Sequence, residues 1–162
     1  MRDARGILTV VLALLAGIVA VVLLIHTLQR GASSPAHYAA QPALTPGALN
    51  PEVTPARIRQ TICSRGWTTT IRPPSSFTSG LKLEQMREYG FTGTAADYEE
   101  DHFISLELGG APADPKNLWP ERRPQADRVD GIENDLNARV CSGDLSLAEA
   151  QRKLAELKWS DG

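Results

Sequence analysis

From Ile7 to Leu28 the chain reads ILTVVLALLAGIVAVVLLIHTL, an apolar run with only Thr9, His26 and Thr27 as clearly polar residues. As a helix it would be about 33 Å long at about 1.5 Å per residue, close to a hydrocarbon core of about 30 Å. It exceeds the apolar region of about 7 to 15 residues usual in a cleavable signal, so residues 1–30 read as a transmembrane signal anchor. No face of the run is polar, which argues against a buried core helix. Arg2 and Arg5, partly offset by Asp3, precede it and Arg30 follows. That balance favours a single-pass protein with its N-terminus inside and the rest of the chain outside the cytoplasm. Small residues near Ser34 and Ala36 leave secretion after cleavage as the alternative.

Residues 31–54 show no periodic apolar face and carry prolines at 35, 42, 46 and 51, the pattern of a flexible Pro/Ala-rich linker. A folded domain is then expected over 55–162. Its first helix should start at Thr54, with Pro55 in the first turn and Ile58 and Ile62 four apart, and end at Cys63. The threonine-rich stretch Trp67 to Ile71, stopped by Pro73 and Pro74, reads as extended. A second helix is expected over about Phe77 to Tyr89 with Gly90 as its stop. A longer one should run from Pro124 to about Cys141, closed by Gly143. Ser146 should cap a last amphipathic helix carrying Leu147, Ala150, Leu154 and Leu157, with Glu149 completing a capping box.

Charge and cysteine content narrow the possibilities. Of 17 Lys and Arg, three (Arg2, Arg5 and Arg30) precede the domain, and of 19 Asp and Glu only Asp3 does, leaving 14 basic against 18 acidic residues, net −4. This opposes a strong, sequence-blind grip on nucleic acid. Lys116, Arg122, Arg123 and Arg128 nevertheless lie close together in sequence and could form a small phosphate-binding patch, with solvated surface charge as the equal alternative. The two cysteines, Cys63 and Cys141, follow expected helix ends, and an even count in an exported domain points to one disulfide.

The chemistry concentrates in YEEDHFISLELGGAPADPKNLWPE, residues 98–121. Asp101 and His102 stand side by side, followed by the Gly109-Gly110 turn and Asn117. Two short strands, Tyr98 to Phe103 and Asn117 to Trp119, would precede the long helix. In a regular strand Asp101 and His102 leave from opposite faces, so they serve one site only if the strand bends or ends there. His26 and His37 fall in the apolar run and the linker, so any histidine chemistry of the domain belongs to His102. Glu99 and Glu100 read as solvated strand charges.

Asp101-His102, Ile104-Ser105-Leu106, Gly109-Gly110 and Asn117-Leu118, in this order, resemble the HNH family of ββα-metal nucleases in its Asp-His variants. The resemblance covers Tyr98 to about Asn137. More loosely, the chain from about Val53 onward resembles uncharacterised bacterial proteins carrying this domain. The implied fold is α+β, a small ββα-metal finger with its core motif at 98–141, embedded among helices and preceded by the transmembrane helix. The resemblance implies that Asp101 holds a divalent metal, that His102 is the general base activating water, and that Asn117 orients the imidazole or assists the metal site. It further implies a nucleic acid substrate, DNA ahead of RNA.

The long helix offers no histidine as a further ligand. Its candidates are Asp130, Glu133 and Asn134. At about 100° per residue, Val129, Ile132, Leu136 and Val140 form an apolar stripe with Glu133 on its edge and Asp130 farther round, while Asn134 points away. Asp130 and then Glu133 are therefore the expected ligands. An all-oxygen set suits magnesium first, with manganese or calcium as alternatives, rather than zinc. Two cysteines cannot build a four-cysteine zinc site. The expected function is metal-dependent endonucleolytic hydrolysis of phosphodiesters. The competing expectation is a non-catalytic extracytoplasmic binding module that keeps the scaffold.

Overall fold

The computed structural model describes residues 14, 17–21 and 38–160. Residues 14 and 17–21 are helical. The expected membrane span over 7–28 lies mostly outside the described residues, and no helix among the described residues is long and apolar enough to cross a membrane.

The second compact unit, which starts at Tyr38, is mixed α+β. Its order is α1 (Trp67–Ile71), α2 (Ser75–Glu88), β1 (Tyr98–His102), β2 (Leu118–Arg122), α3 (Arg123–Ser142) and α4 (Leu147–Ser160), with one 3-10 turn before the strands and two between them. The strands pair antiparallel in unbroken register, from Tyr98 opposite Arg122 to His102 opposite Leu118. Because facing residues share a side of the sheet, Asp101, Trp119 and Glu121 look one way and Glu100, His102 and Leu118 the other.

Helices α2, α3 and α4 lie within a few residues of the expected stretches; α3 and α4 bury one stripe each, whereas α2 buries only Gln85 and Met86 and leaves Leu83 exposed. Gly143, at φ 90°, closes α3 as a left-handed cap, a conformation only glycine adopts at no cost. The Glu149 amide donates to Ser146 Oγ at 3.2 Å, forming the expected cap of α4. Apolar residues of α3 and α4 meet Phe103, Ile104, Leu108 and Trp119 in one core. Cys63 and Cys141 form a disulfide with Cα atoms 5.6 Å apart, joining the end of α3 to the turns before α1.

Three expectations need correction. Trp67–Ile71 is helical rather than extended: Gly66, left-handed at φ 81°, starts it, and Thr70 Oγ1 bonds back to the Trp67 carbonyl, so local bonding overrides threonine's β preference. Residues 54–63 form successive turns instead of a helix, their backbone bonds mixing Arg57 N to Thr54 O with Cys63 N to Ile58 O. The linker is the third case, because its described part is packed. Ala39, Ala40, Thr45 and Asn50 are buried. Gly47 N donates to Lys116 O, Asn50 N to Gly109 O, and Ala40 N to Lys158 O. The segment 38–54 therefore straps the loop between the strands to the last turn of α4, and the folded unit begins well before residue 55.

Candidate functional site

Asn117 sits at the entrance to β2, fully buried. Its Oδ1 accepts from the Ile104 amide at 2.8 Å, and its Nδ2 donates to the Ile104 and Ala111 carbonyls, each at 3.0 Å. All three bonds go to backbone, so the side chain clasps the two ends of the loop between β1 and β2. Gly110 makes the clasp possible, since a Cβ there would overlap both the Ile104 carbonyl and Asn117 Nδ2. Asn117 makes no bond to the imidazole. Its influence on His102 runs through Ala111, the neighbour of Pro112.

His102 ends β1, and its Nε2 lies 2.9 Å from the Pro112 carbonyl. A carbonyl only accepts, so Nε2 carries the proton and Nδ1 keeps its lone pair. Nδ1 makes no hydrogen bond among the described residues. Burial lowers the imidazole pKa, opposed by the Pro112 bond and by Asp101, and the ring is therefore neutral at pH 7. It lines a cleft of about 420 Å³ with Arg72, Ser75, Thr78, Lys82, Glu100 and Arg123 among its walls. Pro73 and Pro74 forbid α1 from continuing, which leaves Arg72 at the corner between α1 and α2. Arg72 also lines a second cleft, of about 200 Å³, with Asp130, Glu133 and Asn134.

Asp101 leaves the opposite face of β1. Its Oδ2 lies 2.6 Å from Lys158 Nζ, which is also 2.8 Å from Glu133 Oε1, 3.4 Å from Glu121 Oε2 and 2.9 Å from the His102 carbonyl. Lys158 is wholly inaccessible to solvent. Burial works against its ammonium form, but Asp101, Glu133 and Glu121 outweigh that and hold its pKa above the ordinary value. Burial also acts against the Asp101 carboxylate, yet the Lys158 charge and the hydrogen bond that Lys158 donates keep its pKa low. Glu121 is pushed up to about 9 chiefly by burial, and neither of its carboxyl oxygens has a hydrogen-bond partner. Glu133, pushed up to about 8 chiefly by burial, meets the ammonium at contact distance without a formed hydrogen bond.

These placements sort the expected ligands. Asp101 and Glu133 converge, Asp130 stays exposed at the rim of the smaller cleft, and Asn134 faces that same cleft instead of pointing away. The buried stripe of α3 runs Ala126, Val129, Glu133, Leu136, Val140, while Ile132 is 42% exposed. Glu133 thus holds a central position in the stripe, which Lys158 makes tolerable. The residues as arranged do not fit a divalent ion: the point between Asp101, Glu133 and Glu121 is filled by Lys158 Nζ. In the folded chain as it stands, no group of three His, Cys, Asp or Glu side chains among the described residues is placed to hold one.

The four basic residues do not form one patch. Arg123 lines the cleft at His102 and pairs with Glu99 at 3.4 Å. Arg122 and Arg128 line a separate cleft, where the Arg122 guanidinium lies 4.4 Å above the Tyr38 ring. Lys116 belongs to neither and is exposed.

Sequence reasoning missed Lys158, Glu121 and Arg72. For Lys158 a signal was present: Leu147, Ala150, Leu154 and Lys158 fall at spacings of three, four and four on one helical face. Glu121 carried none, since every residue of β2 except Arg122 is buried and no alternation marks its faces. Compared with known proteins, the chain matches no family model, no curated protein and no solved structure.

Proposed function

We propose that this protein hydrolyses phosphodiester bonds in nucleic acid with an HNH-like strand–loop–strand–helix unit, and that His102 is the general base. The observation that carries this reading is the state of His102. It is a neutral imidazole, fixed by the Pro112 carbonyl so that an unpartnered Nδ1 is the atom able to take a proton, and it stands in the wall of a cleft. A base of this kind contributes roughly 10²- to 10⁴-fold. Around it, Arg72 and Arg123 supply charge for a phosphate. Arg72 makes no ion pair among the described residues. The uncapped N-terminus of α2 at Ser75 opens beside the same cleft and favours an anion. The order β1, clasped loop, β2, α3 supports the HNH likeness, which rests on Asp101-His102, Gly109-Gly110 and Asn117. The apolar run at 7–28 supports a site working outside the cytoplasm, anchored or released.

The test is cleavage of DNA and RNA by the full chain, with magnesium or manganese and with chelator, beside His102→Ala. Cleavage reduced at least about 100-fold in the variant is expected. Cleavage that persists unchanged would remove His102 as the base.

A second reading, a non-catalytic binding module on the same scaffold, is favoured by one observation. Asp101 and His102 face opposite sides of the sheet, and Asp101 is engaged by Lys158. Absence of cleavage of either nucleic acid under all these conditions, with binding retained, would establish that reading.

A further inference from the structure

We propose that Lys158 is a built-in cation that stands where a divalent metal would otherwise be bound by Asp101, Glu121 and Glu133, so that the folded chain neither needs nor admits a metal at that point. The inference rests on the HNH-like reading only for the expectation that Asp101 and a residue of α3 would hold a metal. It says nothing of the chemistry at His102.

Three oxygen-bearing side chains from three elements, β1, β2 and α3, point at one atom delivered by a fourth, α4. The ammonium lies 2.6, 3.4 and 2.8 Å from them in that order, and the His102 carbonyl adds a neutral oxygen at 2.9 Å. An all-oxygen environment drawn from separate elements is the arrangement that hard divalent cations take. A lysine inside it supplies a permanent positive charge with no dependence on metal supply. The fit to a single charge is incomplete. Both carboxyl oxygens of Glu121 and Oε1 of Glu133 are buried without a hydrogen-bond partner, as expected where one ammonium with three protons serves a set of oxygens able to bind a divalent ion.

The rest of the fold holds the lysine in place. Leu154 precedes it on the buried stripe of α4. The Lys158 carbonyl accepts from Ala40 N, Trp159 Nε1 donates to the Thr45 carbonyl at 3.4 Å, and the Trp159 and Phe103 rings lie 5.1 Å apart. Withdrawal of Nζ would require the last turn of α4 and the strap over it to come away together. This distinguishes a resident cation from a mobile side chain that a metal could displace.

Lys158→Met is the decisive variant, because the methionine stem keeps the packing of the lysine carbons while vacating the Nζ position. Manganese binding is followed by calorimetry and by thermal unfolding of the full chain with manganese or chelator, without nucleic acid. The wild type is expected to bind no manganese stoichiometrically at millimolar concentration and to unfold at the same temperature in both solutions. Lys158→Met is expected to bind one manganese and to unfold several degrees higher with manganese than with chelator. Lys158→Arg, which retains the charge, is expected to behave as wild type. One manganese bound by the wild type and lost in Asp101→Asn would overturn the proposal, as would a folded Lys158→Met that binds none. Should Lys158→Met fail to fold in chelator, refolding on manganese addition supports the proposal, and failure in both solutions passes the decision to the wild-type and Asp101→Asn titrations. No arm reads cleavage, so failure here and failure of the hydrolase reading are separate results.

Discussion

Lys158 Nζ and Asp101 Oδ2 lie 2.6 Å apart across 57 positions of sequence, with the lysine wholly buried and the Asp101 side chain 19% exposed. The pair joins the last turn of α4 to β1 and sets the charge of everything around it. Removing one member of a buried pair leaves the other charged and unmatched, which costs about 3 to 5 kcal/mol. Asp101→Ala should therefore lose about that much stability in urea unfolding, the loss being moderated by Glu133. A loss below about 1 kcal/mol, the range of exposed pairs, would mean that the pair is not buried in solution.

Asn117→Ala removes three hydrogen bonds to buried backbone groups of Ile104 and Ala111. At about 1 to 3 kcal/mol for each buried group left unpaired, and with some relief by entering water, a loss of roughly 3 kcal/mol is expected. Amide exchange at Ile104 should accelerate more than at Val129 in the core, because the loop opens before α3 does. Equal acceleration at both would show a global effect instead of a released clasp.

Glu100 shares the cleft wall with His102, and both its carboxylate oxygens are buried without partners. Burial raises its pKa to about 8, against the opposing charge of Lys82. Its folded pKa lies above its unfolded value, so the folded state keeps a proton that the unfolded chain has lost. Stability is then fully present below about pH 4.5 and falls as pH rises through about 8. Glu100→Gln should match wild type near pH 4 and exceed it at pH 9 by roughly 3 to 5 kcal/mol. Glu121 and Glu133 titrate in both proteins, so the difference isolates Glu100. An unchanged difference from pH 4 to pH 9 would refute the buried neutral acid.

The Cys63–Cys141 bridge closes a loop with a sequence separation of 78. Constraint of the unfolded chain by such a loop is worth roughly 4 kcal/mol. Reduction, or Cys63→Ser with Cys141→Ser, should lower the midpoint of thermal unfolding by on the order of 15 °C. Two alkylated thiols in unreduced protein would show that the bridge is absent.

Much of this architecture was legible because it depends on neighbours within a turn or two. Helices α3 and α4 follow from apolar spacing with Gly143 and Ser146 at their ends, α2 from its Gly90 stop, and the strand–loop–strand–helix order follows from the turn residues between Tyr98 and Pro124. Where local signals conflicted, the reading failed. Thr68, Thr69 and Thr70 suggested a strand but lie in a helix started by Gly66. The prolines of 38–54 suggested a tether, yet Ala40, Thr45 and Asn50 are buried against segments distant in sequence. Proline and small residues describe a chain without helix or sheet, and such a chain packs or floats according to what surface lies beside it.

By itself the sequence determined which residues could do chemistry: the only histidine of the folded unit, the Asp101-His102 pair, the asparagine at the second strand and the two cysteines. Only the tertiary structure decided what those residues do to one another. Local periodicity is enforced by backbone bonds a few residues apart, and so can be read along the chain. The charge state of a carboxylate is set by burial and by whichever ions lie within a few ångströms. For Asp101 that ion comes from the last turn of the last helix, carried there by packing that no local pattern encodes.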